Sequence, residues 1–269
     1  MAERIDTADD PRIAAFRDVR DPELVRRRGL FVAEGRLLVR RVIEHGRYRV
    51  REVLVNDPAL SQLSDAIARV PADAAVYVCD TPVIARLTGF NIHRGCLALV
   101  ERPAARTLDE VIAAARTMVV LEAVANPDNV GGVFRNAAAF GCDAVVLGPT
   151  CCDPFYRKAL RTSMGAVLQV PFAIASPWPA ALAQIRRGGF AIAALTPREP
   201  AMPLDAFARD RPPRVAFLAG TEGAGLSAEA EGAADVRVRI PIADAVDSLN
   251  VATAVAIALY AATTRASHG

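Results

Sequence analysis

Lysine is almost missing from this chain. Of its 32 basic residues, Lys158 is the only lysine and the rest are arginine. A coding sequence rich in G and C gives that bias with no functional meaning. Arginine is also the side chain suited to bidentate phosphate contact and to stacking on bases. Long apolar runs are missing too. None approaches the ~20 residues that cross a bilayer. The opening MAERIDTADDPRIAAFRDVRD lacks the apolar centre of a secretory signal. The expectation is a soluble, cytoplasmic protein. No C-x-x-C pair occurs among Cys79, Cys96, Cys142, Cys151 and Cys152. Their odd number and the adjacency of the last two argue against a zinc site or a disulfide framework, and leave reduced thiols in or near a core. No low-complexity tract or internal repeat is present. With 52% hydrophobic residues, the chain reads as folded rather than disordered.

What is there is a chain of 269 residues, long enough for one large domain or two modest ones. The net charge of +2 identifies no partner. The first 51 residues, however, hold 13 arginines against nine acids. That excess fits a surface facing nucleic acid and fits a solvated helical face equally well. Residues 11–45 read mainly as helix, with Leu37, Leu38, Val42 and Ile43 at helical spacing. Strand-like RVREVLV, VYVC and RGCLALVERP then alternate with helical segments at 58–69 and TPVIARLTG. ERPAART (101–107) is the linker, dividing a small α/β domain at 1–104 from a larger one at 109–269.

The second half carries apolar runs at MVVLEAV, DAVVLG, AVLQVPFAIA, GFAIAAL, RVAFLAG and DVRVRIPI. Helical or loop segments separate them, the pattern of a parallel sheet covered on both faces. In DPFYRKALRTSMGA, Asp153 reads as a helix N-cap with Pro154 in the first turn, and Arg157 and Arg161 share a face beside Lys158. The last helix, SLNVATAVAIALYAATTR, is apolar on most sides and is expected to be largely buried.

Ligands of open parallel sheets bind beyond the carboxyl ends of the strands. Three stretches fall there: NPDNVGGVFRNAAAFG, LAGTEGAGLS and IPIADAVDSLN. They bring glycines for close approach and the polar groups Asn129, Arg135, Glu222, Ser248 and Asn250. The second also contains Gly223-Ala-Gly225-Leu-Ser-Ala228, a formal dinucleotide fingerprint with Asp244 downstream, which makes a nucleotide-cofactor oxidoreductase a competing reading. Its position argues against it, since the fingerprint normally opens the first βαβ unit.

In this order the three stretches, with RTSMGAVLQVPF between the first two, resemble the SpoU (TrmH-like) family of RNA ribose 2′-O-methyltransferases in the SPOUT superfamily, over residues 117–262. FVAEGRLLVRRVIEHGRYRVREVLV and LTGFNIHRGCLALVE resemble, more loosely, the family's N-terminal substrate-binding domain, with His-Arg-Gly at 93–95 where His-Gln-Gly is common. The resemblance implies an α/β catalytic domain with a parallel sheet and a deep trefoil knot, preceded by a small RNA-binding domain like a ribosomal-protein fold. It implies S-adenosylmethionine as cofactor, held near Gly220, Ile240 and Leu249. It implies methyl transfer to a ribose 2′-hydroxyl, with Asn129, Arg135, Glu222, Ser248 and Asn250 at the site, and a homodimer. Within it, Arg135 is expected to clamp an RNA phosphate and stabilise alkoxide charge, since a guanidinium stays protonated. Asn129 fixes the turn. Glu222 pairs with Arg135 or orders the loops. Ser248 and Asn250 are also ordinary helix caps. Ribosomal RNA is favoured over transfer RNA as substrate. A non-catalytic RNA-binding or ribosome-assembly module is the alternative.

Overall fold

The computed structural model describes residues 2–17, 21–88, 95–243 and 245–263. Asp244, His93 and Arg94 lie outside the described residues. The chain forms two compact units, residues 1–104 with 155–168, and residues 105–154 with 169–269.

The first unit is a five-stranded mixed sheet in the order β1-β4-β3-β5-β2. Its strands are β1 (Glu3–Ile5), β2 (Leu30–Glu34), β3 (Val50–Val55), β4 (Ala75–Cys79) and β5 (Cys96–Glu101). The helices are α1 (Arg36–Glu44), α2 (Asp57–Gln62), α3 (Ser64–Ile67) and α4 (Thr81–Thr88). The helical reading of 11–45 holds at Pro11–Phe16, Glu23–Arg27 and Arg36–Glu44 and is corrected between the last two. Leu30–Glu34 is a strand paired antiparallel with β5, and α1 begins only after Gly35. Gly35 sits at φ 90, which L side chains avoid, so the helical spacing is interrupted there. Phe31, Val32 and Ala33 are buried on both faces of the sheet, and tertiary burial outweighs the local pattern.

Residues 155–168 pack with this unit. Phe155 stacks on Phe31 at 4.7 Å between ring centroids, and the Tyr48 hydroxyl donates to the Leu168 carbonyl at 2.7 Å. Burying a ring such as Phe155 contributes about 1.5–3 kcal/mol. The helix here, α7, is Arg157–Thr162, so the start expected at Asp153-Pro154 is three residues too early. Its first N–H, that of Arg157, is met by the Asp21 carboxylate at 3.0 Å. A cap supplied from 136 residues away gives no local signature.

The second unit is a seven-stranded sheet, parallel at every pairing, in the order β10-β12-β9-β11-β6-β7-β8. Its strands are β6 (Thr117–Leu121), β7 (Ala144–Leu147), β8 (Phe172–Ile174), β9 (Ala191–Leu195), β10 (Met202–Pro203), β11 (Val215–Ala219) and β12 (Val236–Arg239). Helices α5 (Leu108–Ala114), α6 (Pro127–Ala139), α8 (Ala180–Arg187), α9 (Leu204–Arg209), α10 (Ala228–Gly232) and α11 (Val251–Thr263) complete it. Every residue of β7 and β11 is buried, as strands covered on both faces require. The chain leaves β6 towards β7 and β8, then returns to the far side, so the order of strands reverses between β6 and β11. Helix α11 is buried along Val251, Val255, Ala258, Leu259 and Ala262, while Ile257 and Tyr260 remain 36% and 56% exposed. The expectation is burial in this domain or against a partner, and one face of α11 is buried within this chain. No helix among the described residues is long and apolar enough to cross a membrane.

Candidate active site

The reversal between β6 and β11 puts a crevice at the carboxyl ends of these strands. Helix α6 begins just beyond β6. Asn126 caps it by accepting from the Asp128 N–H at 2.9 Å, and Pro127 occupies the first turn. Gly132 lets α11 come close, since a Cβ there would lie 2.9 Å from that of Ala252. Asn136 fastens the same contact, its Nδ2 donating to the Ala252 carbonyl at 2.7 Å.

After β11 the chain turns back on itself in a tight loop, with Gly225 N–H donating to the Thr221 carbonyl at 3.0 Å. A Cβ on Gly220 would meet the carbonyl of Gly225 at 2.3 Å, so only glycine fits. This loop, the ends of β9 and β12 and the lead into α11 enclose a pocket of about 880 Å³ counting its open mouth. Gly220, Glu222, Ile240, Ser248 and Leu249 line it, with the turn Leu195–Arg198 as its third wall. Arg198 is the one base among the lining residues, against the acids Glu222 and Glu231.

Beside the pocket lies a closed polar network. Asn250 Nδ2 donates to Asn129 Oδ1 at 2.8 Å and to Glu222 Oε1 at 2.6 Å. Asn250 Oδ1 accepts from the N–H groups of Ala252 and Thr253 at 2.9 and 3.2 Å, capping α11. Asn250 is therefore the cap, and Ser248 makes no hydrogen bond among the described residues. Both donors and both lone pairs of the Asn250 amide are used, which fixes its orientation.

Arg135 stands apart from this network. It is exposed on α6, outside the pocket lining, and its side chain makes no hydrogen bond or ion pair among the described residues. Six residues separate it from Asn129, about 120° around a helix axis. No ion pair joins it to Glu222, which is held by Asn250 instead.

Two features escaped the sequence reading. The turn Leu195–Arg198 follows β9 at its carboxyl end, so the rule that found the other loops applied to it as well. Glu122, directly after β6, is a carboxylate only 8% exposed. It accepts from Trp178 Nε1 at 2.7 Å, the Ser227 N–H at 2.8 Å and the Ser227 hydroxyl at 2.7 Å. An acid ending an apolar strand was the available signal.

A parallel sheet with a pocket at the carboxyl ends of its strands, walled by backbone-rich loops, is the arrangement in which α/β enzymes bind small molecules. Residues 116–260 match the SpoU rRNA Methylase family. Over its length the chain is 43% identical to an uncharacterized tRNA/rRNA methyltransferase of Mycobacterium bovis, covering 97% of this chain and 91% of that one. It is 26% identical to the 23S rRNA (guanosine(2553)-2'-O)-methyltransferase RlmP of Bacillus subtilis, covering 96% and 98%. Its fold is similar to that of the AdoMet-bound rRNA methyltransferase from Sinorhizobium meliloti, with a TM-score of 0.82, 24% identity and 97% of each chain covered. The chain belongs to the SpoU rRNA methylase family and is an RNA methyltransferase. The dinucleotide reading of Gly223–Ala228 is thereby overturned. Those glycines belong to the tight loop, and the helix that follows has five residues.

Proposed function

We propose that this methyltransferase moves a methyl group from S-adenosylmethionine to a ribose 2′-hydroxyl of structured RNA, with ribosomal RNA as the substrate class. The observation that carries this reading is that Glu222 belongs both to the pocket wall and to the Asn129–Asn250 network. The pocket and a set of fixed polar groups thus share one carboxylate.

The residues present suit the cofactor. Ile240, Leu249, Val238 and Leu195 offer apolar surface to an adenine, and Gly220 allows the backbone to approach it closely. Glu231 is paired with Arg198 and Arg237, so the acid of the wall outside any ion pair among the described residues is Glu222, a charge that a sulfonium favours. When bound, the cofactor supplies an electrophilic methyl carbon. Gly220, Ile240 and Leu249 would hold the donor, and its methyl group would pass to the ribose oxygen as the hydroxyl gives up its proton, leaving the donor as a neutral thioether. Asn129, Glu222 and Asn250 hold one another in place before substrate arrives, so little reorganisation accompanies the reaction. Arg135, charged and unpaired, is free to take an RNA phosphate and to stabilise charge on the attacking oxygen.

The similarity to a ribosomal RNA 2'-O-methyltransferase supports the choice of substrate class. The first unit supports RNA binding through the exposed run Arg26–Arg28. Several other arginines there are already paired with acids beyond residue 51, among them Arg4 with Asp57, Arg40 with Asp65 and Arg49 with Asp73. The apparent excess of charge is therefore smaller than the sequence implied. The reading includes a homodimer, which the exposed Ile257 and Tyr260 on α11 favour.

The test is a transfer assay with tritiated donor and RNA from cells lacking this protein, separated into ribosomal and transfer fractions. Label in ribosomal RNA that survives alkali as a 2′-O-methylated dinucleotide is the expected result. No label in either fraction, with RNA binding intact, would replace this reading with a non-catalytic RNA-binding module.

A further inference from the structure

Glu122 holds the pocket loop at both of its ends. Its own N–H donates to the Ala219 carbonyl at 2.9 Å, at the entrance to the loop. Its carboxylate accepts the N–H and hydroxyl of Ser227 at the exit, at 2.8 and 2.7 Å. Between these points lie Gly220–Leu226, of which Gly220, Thr221, Glu222, Gly223, Gly225 and Leu226 line the pocket. Ser227 also caps α10 through Ala230 N–H at 3.1 Å, so the exit is anchored on its far side as well. Trp178, the only tryptophan of the chain, completes the carboxylate's partners.

We infer that Glu122 is a positioning residue for the methyl donor. It touches neither donor nor RNA, and it sets the shape of the loop that receives the donor. The inference rests on the S-adenosylmethionine reading of the pocket. Glu122 is also the last residue before the turn that leads to Asn129 and Arg135. One side chain thereby ties the donor loop to the start of α6.

The chemistry of the contacts makes the test sharp. Three donors face two carboxylate oxygens, and two of them, the indole and backbone N–H groups, cannot turn into acceptors. In Glu122→Gln the side-chain amide must point its NH₂ at one of those two, whichever way it is turned. Replacing Trp178 by Phe removes one fixed donor, so the amide then has a conflict-free orientation. A role confined to folding predicts changes in Tm alone. A positioning role predicts a change in donor affinity that the second substitution reverses.

The experiment is calorimetric titration with S-adenosylhomocysteine of wild type, Glu122→Gln, Trp178→Phe and the double variant, with each fold checked by circular dichroism. RNA affinity is measured separately. The expected result is a donor-product Kd raised about tenfold in Glu122→Gln, near the wild-type value in Trp178→Phe, largely restored in the double variant, and an unchanged RNA Kd. Wild-type protein gives a further readout that no misfolded variant can obscure, since S-adenosylhomocysteine should shift the emission of Trp178. Wild-type binding with no emission shift and an unaltered Kd in Glu122→Gln would overturn the positioning role and leave the donor reading standing. A wild-type protein that binds no S-adenosylhomocysteine would overturn both.

Discussion

Asn250→Asp separates the two tasks that one amide performs. Aspartate caps a helix as well as asparagine does, so the acceptor side facing Ala252 and Thr253 is kept. The donor side is lost. Asn129 can turn its amide and donate instead, but the Glu222 carboxylate 2.6 Å away then faces a second carboxylate. A hydrogen bond to a charged acceptor contributes about 1.5–3 kcal/mol. Glu222 is exposed, and solvent screening reduces this to about 1 kcal/mol. Adding the new repulsion gives about 1–2 kcal/mol, or a fall of roughly five- to thirtyfold in kcat/KM for methyl transfer. The pH dependence identifies the cause. Two facing carboxylates raise the upper apparent pKa of the pair in the folded protein above the unfolded value of about 4. The folded state then binds the extra proton, so stability and transfer recover as pH falls from neutral through that raised value, and are lost as pH rises. Asn250→Ala removes the cap, costing about 1 kcal/mol, and its deficit should not vary with pH over this range. The assay is transfer and thermal melting of both variants from pH 5 to 8, each relative to wild type. Equal and pH-independent deficits would refute the argument, because capping alone would then explain Asn250.

Three further outcomes follow from the same geometry. Gly220→Ala places a Cβ 2.3 Å from the backbone of Gly225, so calorimetry with S-adenosylhomocysteine should show at least a roughly tenfold loss of affinity with secondary structure kept. An unchanged Kd would mean that the loop does not contact the donor. Arg135→Ala should abolish transfer in the tritium assay while leaving donor affinity within about twofold, since Arg135 lies outside the pocket lining. An equal loss of donor binding would make it structural. Burial pushes the thiols of Cys79 and Cys142 up to about 11 and about 12, and that of Cys151 upward as well. The thiolate is the reactive form, so Ellman's reagent at pH 8 should label native protein slowly and titrate five thiols in guanidinium. Rapid native labelling of Cys142 would contradict this.

The second unit was the more legible in the sequence because its strands are buried on both faces and appear as unbroken apolar runs. Leu30–Glu34 was not, because its partner β5 is far away in sequence and helical spacing continues on its far side. Caps showed the same division. Asn126 uses a neighbour two residues on, as a local rule expects, whereas α7 draws its cap from Asp21. The motif resemblance named the site residues, but no spacing rule could divide them as the fold does. Asn129, Glu222 and Asn250 satisfy one another, and Gly220, Ile240 and Leu249 line a cavity already formed. The Arg135 side chain has no partner among the described residues, and being long it has the most conformational freedom to lose. An exposed guanidinium with no side-chain partner among the described residues can be ordered by an anion that arrives. On the proposed reading that anion is a phosphate of the RNA, so the donor pocket would be formed before substrate binds and the acceptor side would be completed only with it.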